Sequence, residues 1–187
     1  MDAFSFVTVT YSIIIGLAIS DLMGRIGLLI RNRRQVRFHW IPLYWAGMLF
    51  LIQVQIWWSL WGFRDLPRWH IVSFLAILCL TISTYLPANV ILPDSFDGDS
   101  PVDLLYFFND HRRAFFLLFA IIPLVSVLIN IAFFGVAIFD YGFLLPLCAA
   151  LLLFSGAAIG ARWYQAFLPV PMTCLTVIFF VMDVLVL

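Results

Sequence analysis

The chain contains no lysine and no glutamate: all its cations are arginine and all its acids aspartate. No physical reason for that restriction is evident, but the missing glutamate has a consequence. An EF-hand calcium loop closes on a bidentate Glu at its twelfth position. Asp94, Asp97, Gly98, Asp99 and Asp103 also lack the loop's spacing, so they read as a solvated acidic loop. Charge is scarce altogether. Charged residues make up 11% and hydrophobic residues 65% of the sequence, against about 25% and about 45–50% in soluble domains. An ordinary soluble domain is thereby excluded. The formal net charge is zero, so nothing attracts nucleic acid, and none is expected as a partner.

Cysteine is also sparse. Cys79, Cys148 and Cys174 stand in apolar runs without a CxxC spacing. They offer neither a disulfide framework nor a metal site and are expected to behave as small buried hydrophobes. His39, His70 and His111 fall at the ends of apolar runs, which leaves no mid-membrane histidine pair for haem. HExxH, GxSxG and P-loop patterns are missing. The expectation is a protein that is not an enzyme, with no metal and no cofactor. The first apolar run lacks a basic leader and a small-residue cleavage site, so it reads as a retained span and not a signal peptide.

What the chain has instead is long apolar runs. A run of about 20 residues crosses a hydrocarbon core of about 30 Å. Six such runs are readable, at about 4–30, 40–61, 71–92, 114–139, 143–161 and 167–187. The second is framed by Trp40, Tyr44 and Trp45 at one end and Trp57, Trp58 and Trp61 at the other, as interfacial aromatic belts would be. Arg64, Asp65, Pro67, Arg68 and His70 make a polar turn before the third. Pro87 lies in the last turns of that run and Pro93 ends it. In the loop 93–113, Ser100-Pro101-Val102-Asp103 reads as a helix start. The helix it opens, near 101–110, is too short to span and is expected to lie on the membrane. Arg162-Trp163-Tyr164 reads as a turn, and Pro169 and Pro171 predict an irregular start to the sixth run. The expected fold is a single all-α domain: a bundle of six transmembrane helices plus that interfacial helix. An inverted repeat of three plus three spans is allowed by this topology, but no matching residues support it.

Orientation follows from the arginines. Arg31, Arg33, Arg34, Arg37, Arg112, Arg113 and Arg162 fall in loops one, three and five, and only Arg64 and Arg68 on the other side. The positive-inside rule puts those loops in the cytoplasm and both termini outside.

Four groups of residues are candidates for more than spanning. Ser12, Gly16, Ser20 and Gly24 form a small-residue ridge at four-residue spacing, which lets helix backbones approach closely in lipid. It serves either packing inside the bundle or a contact between subunits of a homo-oligomer. Gly156 and Gly160 form a shorter ridge. Asp21 and Arg25 are an i, i+4 pair inside the first span. A lone charge there costs at least about 2.5–3.5 kcal/mol, so the pair should face the bundle. It is either a proton- or ion-coupling carboxylate lining a path or a structural salt bridge. By depth, Thr84, Tyr85 and Asn89 lie level with it and Gln53 nearer the midplane, which predicts a polar cluster between the first three spans. Ser83, Ser126, Asn130, Thr173, Thr176 and Asp183 are further buried polar candidates, with interhelical hydrogen bonds as their ordinary role. Finally, Arg31, Arg33, Arg34, Arg37, His111, Arg112 and Arg113 can contact lipid headgroups or an anion, or simply hold their loops in the cytoplasm. Arg25, Arg31, Arg34 and Arg37 share a spacing of threes, but a voltage sensor carries several charges inside the span and here only Arg25 lies within it.

Two stretches, 17–34 (LAISDLMGRIGLLIRNRR) and 107–116 (FFNDHRRAFF), resemble small, uncharacterised multi-pass membrane proteins of bacteria. That resemblance implies an inner-membrane setting and supplies no activity, ligand or functional residue. The functional expectation is a small channel or transporter with a polar path around Asp21 and Arg25. Its alternative is a non-transporting accessory, sensory or assembly subunit with an unidentified membrane partner. Lipids are expected neighbours in both.

Overall fold

The computed structural model describes residues 3–64, 70–96 and 101–186. The polar turn at 65–69, the acids Asp97 and Asp99 and the Ser100 cap lie outside them, as does the Asp183 side chain. The described chain is helical almost throughout: α1 (Ala3–Arg31), α2 (Trp40–Ser59), α3 (Ile71–Ile91), α4 (Leu104–Phe134), α5 (Tyr141–Ala158), α6 (Arg162–Phe167) and α7 (Pro169–Val186). A 3-10 turn, Leu60–Phe63, prolongs α2, and α6 with α7 makes one near-continuous rod. Six helical segments are thus long and apolar enough to cross a membrane. The protein is a multi-pass α-helical membrane protein.

α4 packs most extensively on α5 and α3, α1 lies on α3 and α2, and α7 rests on α5 and α2. The centre is aromatic. Trp45 of α2 is fully buried and meets Phe116 of α4 edge-on at 4.9 Å, with Phe115 and Phe119 around it. Such aromatic pairs add about 0.5–1.5 kcal/mol beyond area burial, which matters where lipid offers no hydrophobic force between helices. Trp45 is therefore a core residue and not part of an interfacial belt. Trp40, Trp57, Trp58 and Trp61 do face outward.

Several boundaries differ from expectation, each for a local reason. The helix expected to lie on the membrane near 101–110 is instead the first part of α4. Asp103 caps it, its carboxylate accepting from the Leu105 and Tyr106 amides at 2.9 and 3.0 Å. Leu104, Phe108, Arg112, Phe115, Phe116 and Phe119 are all buried along one face. That stripe runs unbroken through the polar 109–113 stretch, so nothing stops the helix there. At about 1.5 Å per residue its 31 residues reach about 46 Å, well beyond the hydrocarbon core. At its other end α4 stops at Phe134 and not near 139, because Gly135 adopts the left-handed conformation (φ 61°) that commonly ends helices. The Arg162-Trp163-Tyr164 stretch is the start of α6 and not a turn, and α5 ends at Ala158. Pro169 and Pro171 sit in the first turn of α7, where a missing amide costs little, so α7 starts cleanly after Leu168. The three cysteines are exposed on the outside of the bundle and not buried.

One feature of the fold has no counterpart in the sequence reading. Val36–Arg37 and Val102–Asp103 form a two-residue parallel bridge, pairing Val36 with Val102 and Arg37 with Asp103. It clasps the α1–α2 loop to the start of α4.

Candidate polar cleft between α1 and α3

α1 presents two different faces. Val7, Tyr11, Ile15, Ala18, Leu22 and Leu29, spaced at threes, fours and seven, are buried. This stripe faces the bundle, and the Tyr11 hydroxyl donates to the Phe74 carbonyl of α3 at 2.7 Å. The small-residue ridge lies elsewhere. Gly16, Ser20 and Gly24 are exposed, and a Cβ added at Gly16 or Gly24 would meet nothing within 4 Å. The ridge is therefore not a packing face within the chain. Ser12, half-buried, accepts a hydrogen bond from the Trp57 indole at 3.0 Å. The second ridge is the reverse case. A Cβ at Gly156 would sit 2.7 Å from Leu168 and 3.1 Å from the Phe116 ring, and one at Gly160 3.0 Å from Arg112.

Arg25 ties α1 to α3. Its Nε donates to Asp21 Oδ2 at 3.0 Å, Nη2 to Asn89 Oδ1 at 2.8 Å and Nη1 to the Leu92 carbonyl at 2.9 Å. Leu92 is the C-terminal cap of α3, so the guanidinium sits at the negative end of that helix dipole. Asn89 is held in turn by its amide donating to the Tyr85 carbonyl at 3.0 Å. The Asp21 side chain is 30% exposed and that of Arg25 12%: the acid faces open space while the base is covered.

That open space is a cleft of about 760 Å³. Its α1 wall comprises Ile14, Leu17, Ser20, Asp21, Gly24, Arg25, Leu28 and Arg31; Ile82, Tyr85 and Asp94 close the other side. Ser20 and Gly24 add little bulk to its α1 wall, and a Cβ at Gly24 would still meet nothing within 4 Å.

The expected cluster of Asp21, Arg25, Gln53, Thr84, Tyr85 and Asn89 is only partly assembled. Asp21, Arg25 and Asn89 are bonded together and Tyr85 lines the same cleft; Gln53 and Thr84 do not join them. Thr84 is one residue and hence about 100° round the helix from Tyr85. It faces α2, where Gln53 Nε2 donates to its carbonyl at 3.4 Å, and both residues are fully buried. Gln53 Oε1 has no hydrogen-bond partner among the described residues. Among the described residues, no hydrogen bond links this pair to Asp21 or Arg25.

The other polar candidates tie helices together or bond back to their own backbone. Asn130 donates to the Gly142 carbonyl across the α4–α5 turn at 2.6 Å. Tyr44 donates to the Pro169 carbonyl at 2.9 Å and meets Thr173 at 2.8 Å. Ser83 and Thr176 donate to carbonyls of their own helices. Ser126 lines a separate, mostly apolar cavity of about 120 Å³ inside the bundle with Gln55, Ser59 and Thr176.

Of the arginine group, Arg31, Arg33, Arg34, Arg37 and Arg113 are exposed and His111 is half-buried, stacked on Phe107 at 4.4 Å. Arg112 is the exception. It is buried, so it is not a headgroup contact; its Nη1 donates to the carbonyls of Gly156 and, at 2.9 Å, Ala157 at the end of α5. Gln165 of α6 supports the same turn, donating to Gly156 O at 3.0 Å and Ile159 O at 2.7 Å. This role of Gln165 and the acceptor role of the Leu92 carbonyl were not read from the sequence. Among the described residues, no group of three His, Cys, Asp or Glu side chains is placed to hold a metal.

Comparison with protein-family models, with curated proteins and with solved structures finds no match to this chain.

Proposed function

We propose that the protein is a small channel or transporter of the bacterial inner membrane whose path opens at the α1–α3 cleft over Asp21 and Arg25. The observation that carries this reading is a cavity of about 760 Å³ formed around an ion pair within a membrane-spanning helix. Ionisable groups at such depth are costly and mark substrate or ion pathways. The positive-inside bias puts the cleft's arginine-rich end in the cytoplasm with both termini outside. The outward-facing small residues of α1, Gly16 foremost, support a homo-oligomer in which a second copy packs beside the cleft.

One observation favours a second reading, an accessory or assembly subunit. Nε, Nη1 and Nη2 of Arg25 each bond an acceptor of the chain itself, as a purely structural tie would.

Flux measurements separate the two. Purified protein in liposomes is expected to dissipate an imposed ion or proton gradient, and Asp21→Asn to abolish most of that flux while folding normally, because it removes the ionisable group on the path. Wild-type liposomes as tight as empty ones under every common ion and proton gradient overturn the transport reading.

A further inference from the structure

The cleft changes character along its length. Ile14, Leu17 and Ile82 line it near the middle of their helices, the mutually bonded Asp21 and Arg25 come next, and Arg31 and Asp94 line it at or just past the helix ends. From Ile14 to Arg31 the helix rises about 25 Å at about 1.5 Å per residue. Half of a bilayer, headgroups included, is about 20–22 Å. An apolar-to-charged gradient over that length is the profile of one lipid molecule in one leaflet. The lateral side is open as a lipid would need, since a Cβ at Gly24 meets nothing within 4 Å.

The charges select the headgroup. Asp21 and Arg25 are bonded to each other. Arg31 and Asp94 are both exposed, and neither is in an ion pair among the described residues. Among the described residues, one cation and one acid without an ion pair thus line the mouth, and they match a zwitterion: phosphate on the guanidinium, ammonium on the carboxylate. An anionic headgroup would satisfy only Arg31 and meet two carboxylates. A primary ammonium donates hydrogen bonds to Asp94, whereas a quaternary one cannot, and Tyr85 alone is not the aromatic cage that quaternary groups use. We propose that the cleft seats a phospholipid with a zwitterionic primary-amine headgroup, of the phosphatidylethanolamine class, drawn from the leaflet at the arginine-rich end. This rests on the reading of the cleft as a ligand site.

The test is native mass spectrometry of the delipidated full chain, offered equimolar phosphatidylethanolamine, phosphatidylcholine and phosphatidylglycerol with identical acyl chains. Phosphatidylethanolamine should be retained about tenfold over either competitor, the worth of one charge-assisted hydrogen bond. Asp94→Asn should abolish the preference over phosphatidylcholine, and Arg31→Gln should lower retention of all three. Gly24→Leu, which fills the cleft, should lower retention with a melting temperature no lower than the wild type's. Soluble glycerophosphoethanolamine should not displace the lipid; displacement would make the ligand a free headgroup and overturn the lipid assignment. Equal or stronger retention of phosphatidylglycerol, or a preference untouched by Asp94→Asn, also overturns it. Retention without flux removes the transport reading alone, and ion flux without selective retention removes the lipid reading alone.

Discussion

The two glycine ridges make opposite predictions for the same substitution, and the numbers decide the sign. Replacing glycine by alanine inside a helix stabilises it by about 0.5–1 kcal/mol through backbone entropy. At Gly156 the new methyl would lie 2.7 Å from Leu168 Cδ2 and 3.1 Å from two ring atoms of Phe116. Leu168 is 1% exposed and Phe116 fully buried, with Phe116 pressed on Trp45 at 4.9 Å. Leu168 can give only within buried surroundings, and Phe116 cannot retreat without displacing the aromatic centre. Inserting a methyl into such packing costs about 1–3 kcal/mol, so Gly156→Ala should be destabilising by about 0.5–2 kcal/mol net of the entropy gain. At Gly24, with nothing within 4 Å, only the gain operates, and Gly24→Ala should be more stable by about 0.5–1 kcal/mol. Equilibrium unfolding in mixed micelles, followed by tryptophan fluorescence, measures both. A Gly156→Ala variant as stable as the wild type, or a Gly24→Ala variant destabilised as much as Gly156→Ala, would refute the assignment of one ridge to the interior and the other to the open face.

Two further substitutions probe the buried polar groups. Gln53→Leu should be neutral or stabilising by up to about 1–2 kcal/mol, because it removes a long 3.4 Å bond and an unpartnered Oε1 together. A clear loss of stability or of flux in that variant would instead place Gln53 on a hydrated path. Arg112→Lys keeps the charge but not the fork that reaches Gly156 and Ala157. It should lower stability by about 1–2 kcal/mol, whereas Arg113→Lys, exposed one residue on, should stay within about 0.5 kcal/mol. Equal effects in the same unfolding assay would contradict the burial of Arg112.

Span count and helical class were legible because length and hydropathy alone determine them in lipid. Helix facing was less legible, since a span apolar all round carries little amphipathic signal. In α1 the small residues stand out by type, while the inward stripe of Tyr11, Ile15, Ala18 and Leu22 is marked only by its spacing. Depth placed Thr84 and Tyr85 together; the turn of the helix separates them, and depth counting ignores azimuth. The neighbours of Arg112 in sequence, His111 and Arg113, make it look like a surface charge. The signal that could have found it is the i, i+4 run of Leu104, Phe108 and Arg112 leading into Phe115 and Phe116, which puts it on the buried face.

Arg25 and Arg112 use the same device at the same end of the bundle. Each guanidinium leaves its own helix and ends on carbonyls at the C-terminus of a neighbour, Leu92 after α3 in one case and Gly156 and Ala157 in α5 in the other. The last carbonyls of a helix have no partner of their own, and a cation there is favoured by the dipole as well. What differs is the surroundings. Gly160 lies against the Arg112 guanidinium, Gln165 crowds the same turn, and Arg112 has no acid in an ion pair among the described residues. Arg25 has a carboxylate on its open side, and that carboxylate borders a cavity. A structural cap needs only the first arrangement. The added acid and the added space at Arg25 cost packing that a mere tie would not forgo, which is why the cleft, and not the more deeply buried Arg112, is where ligand chemistry should be sought.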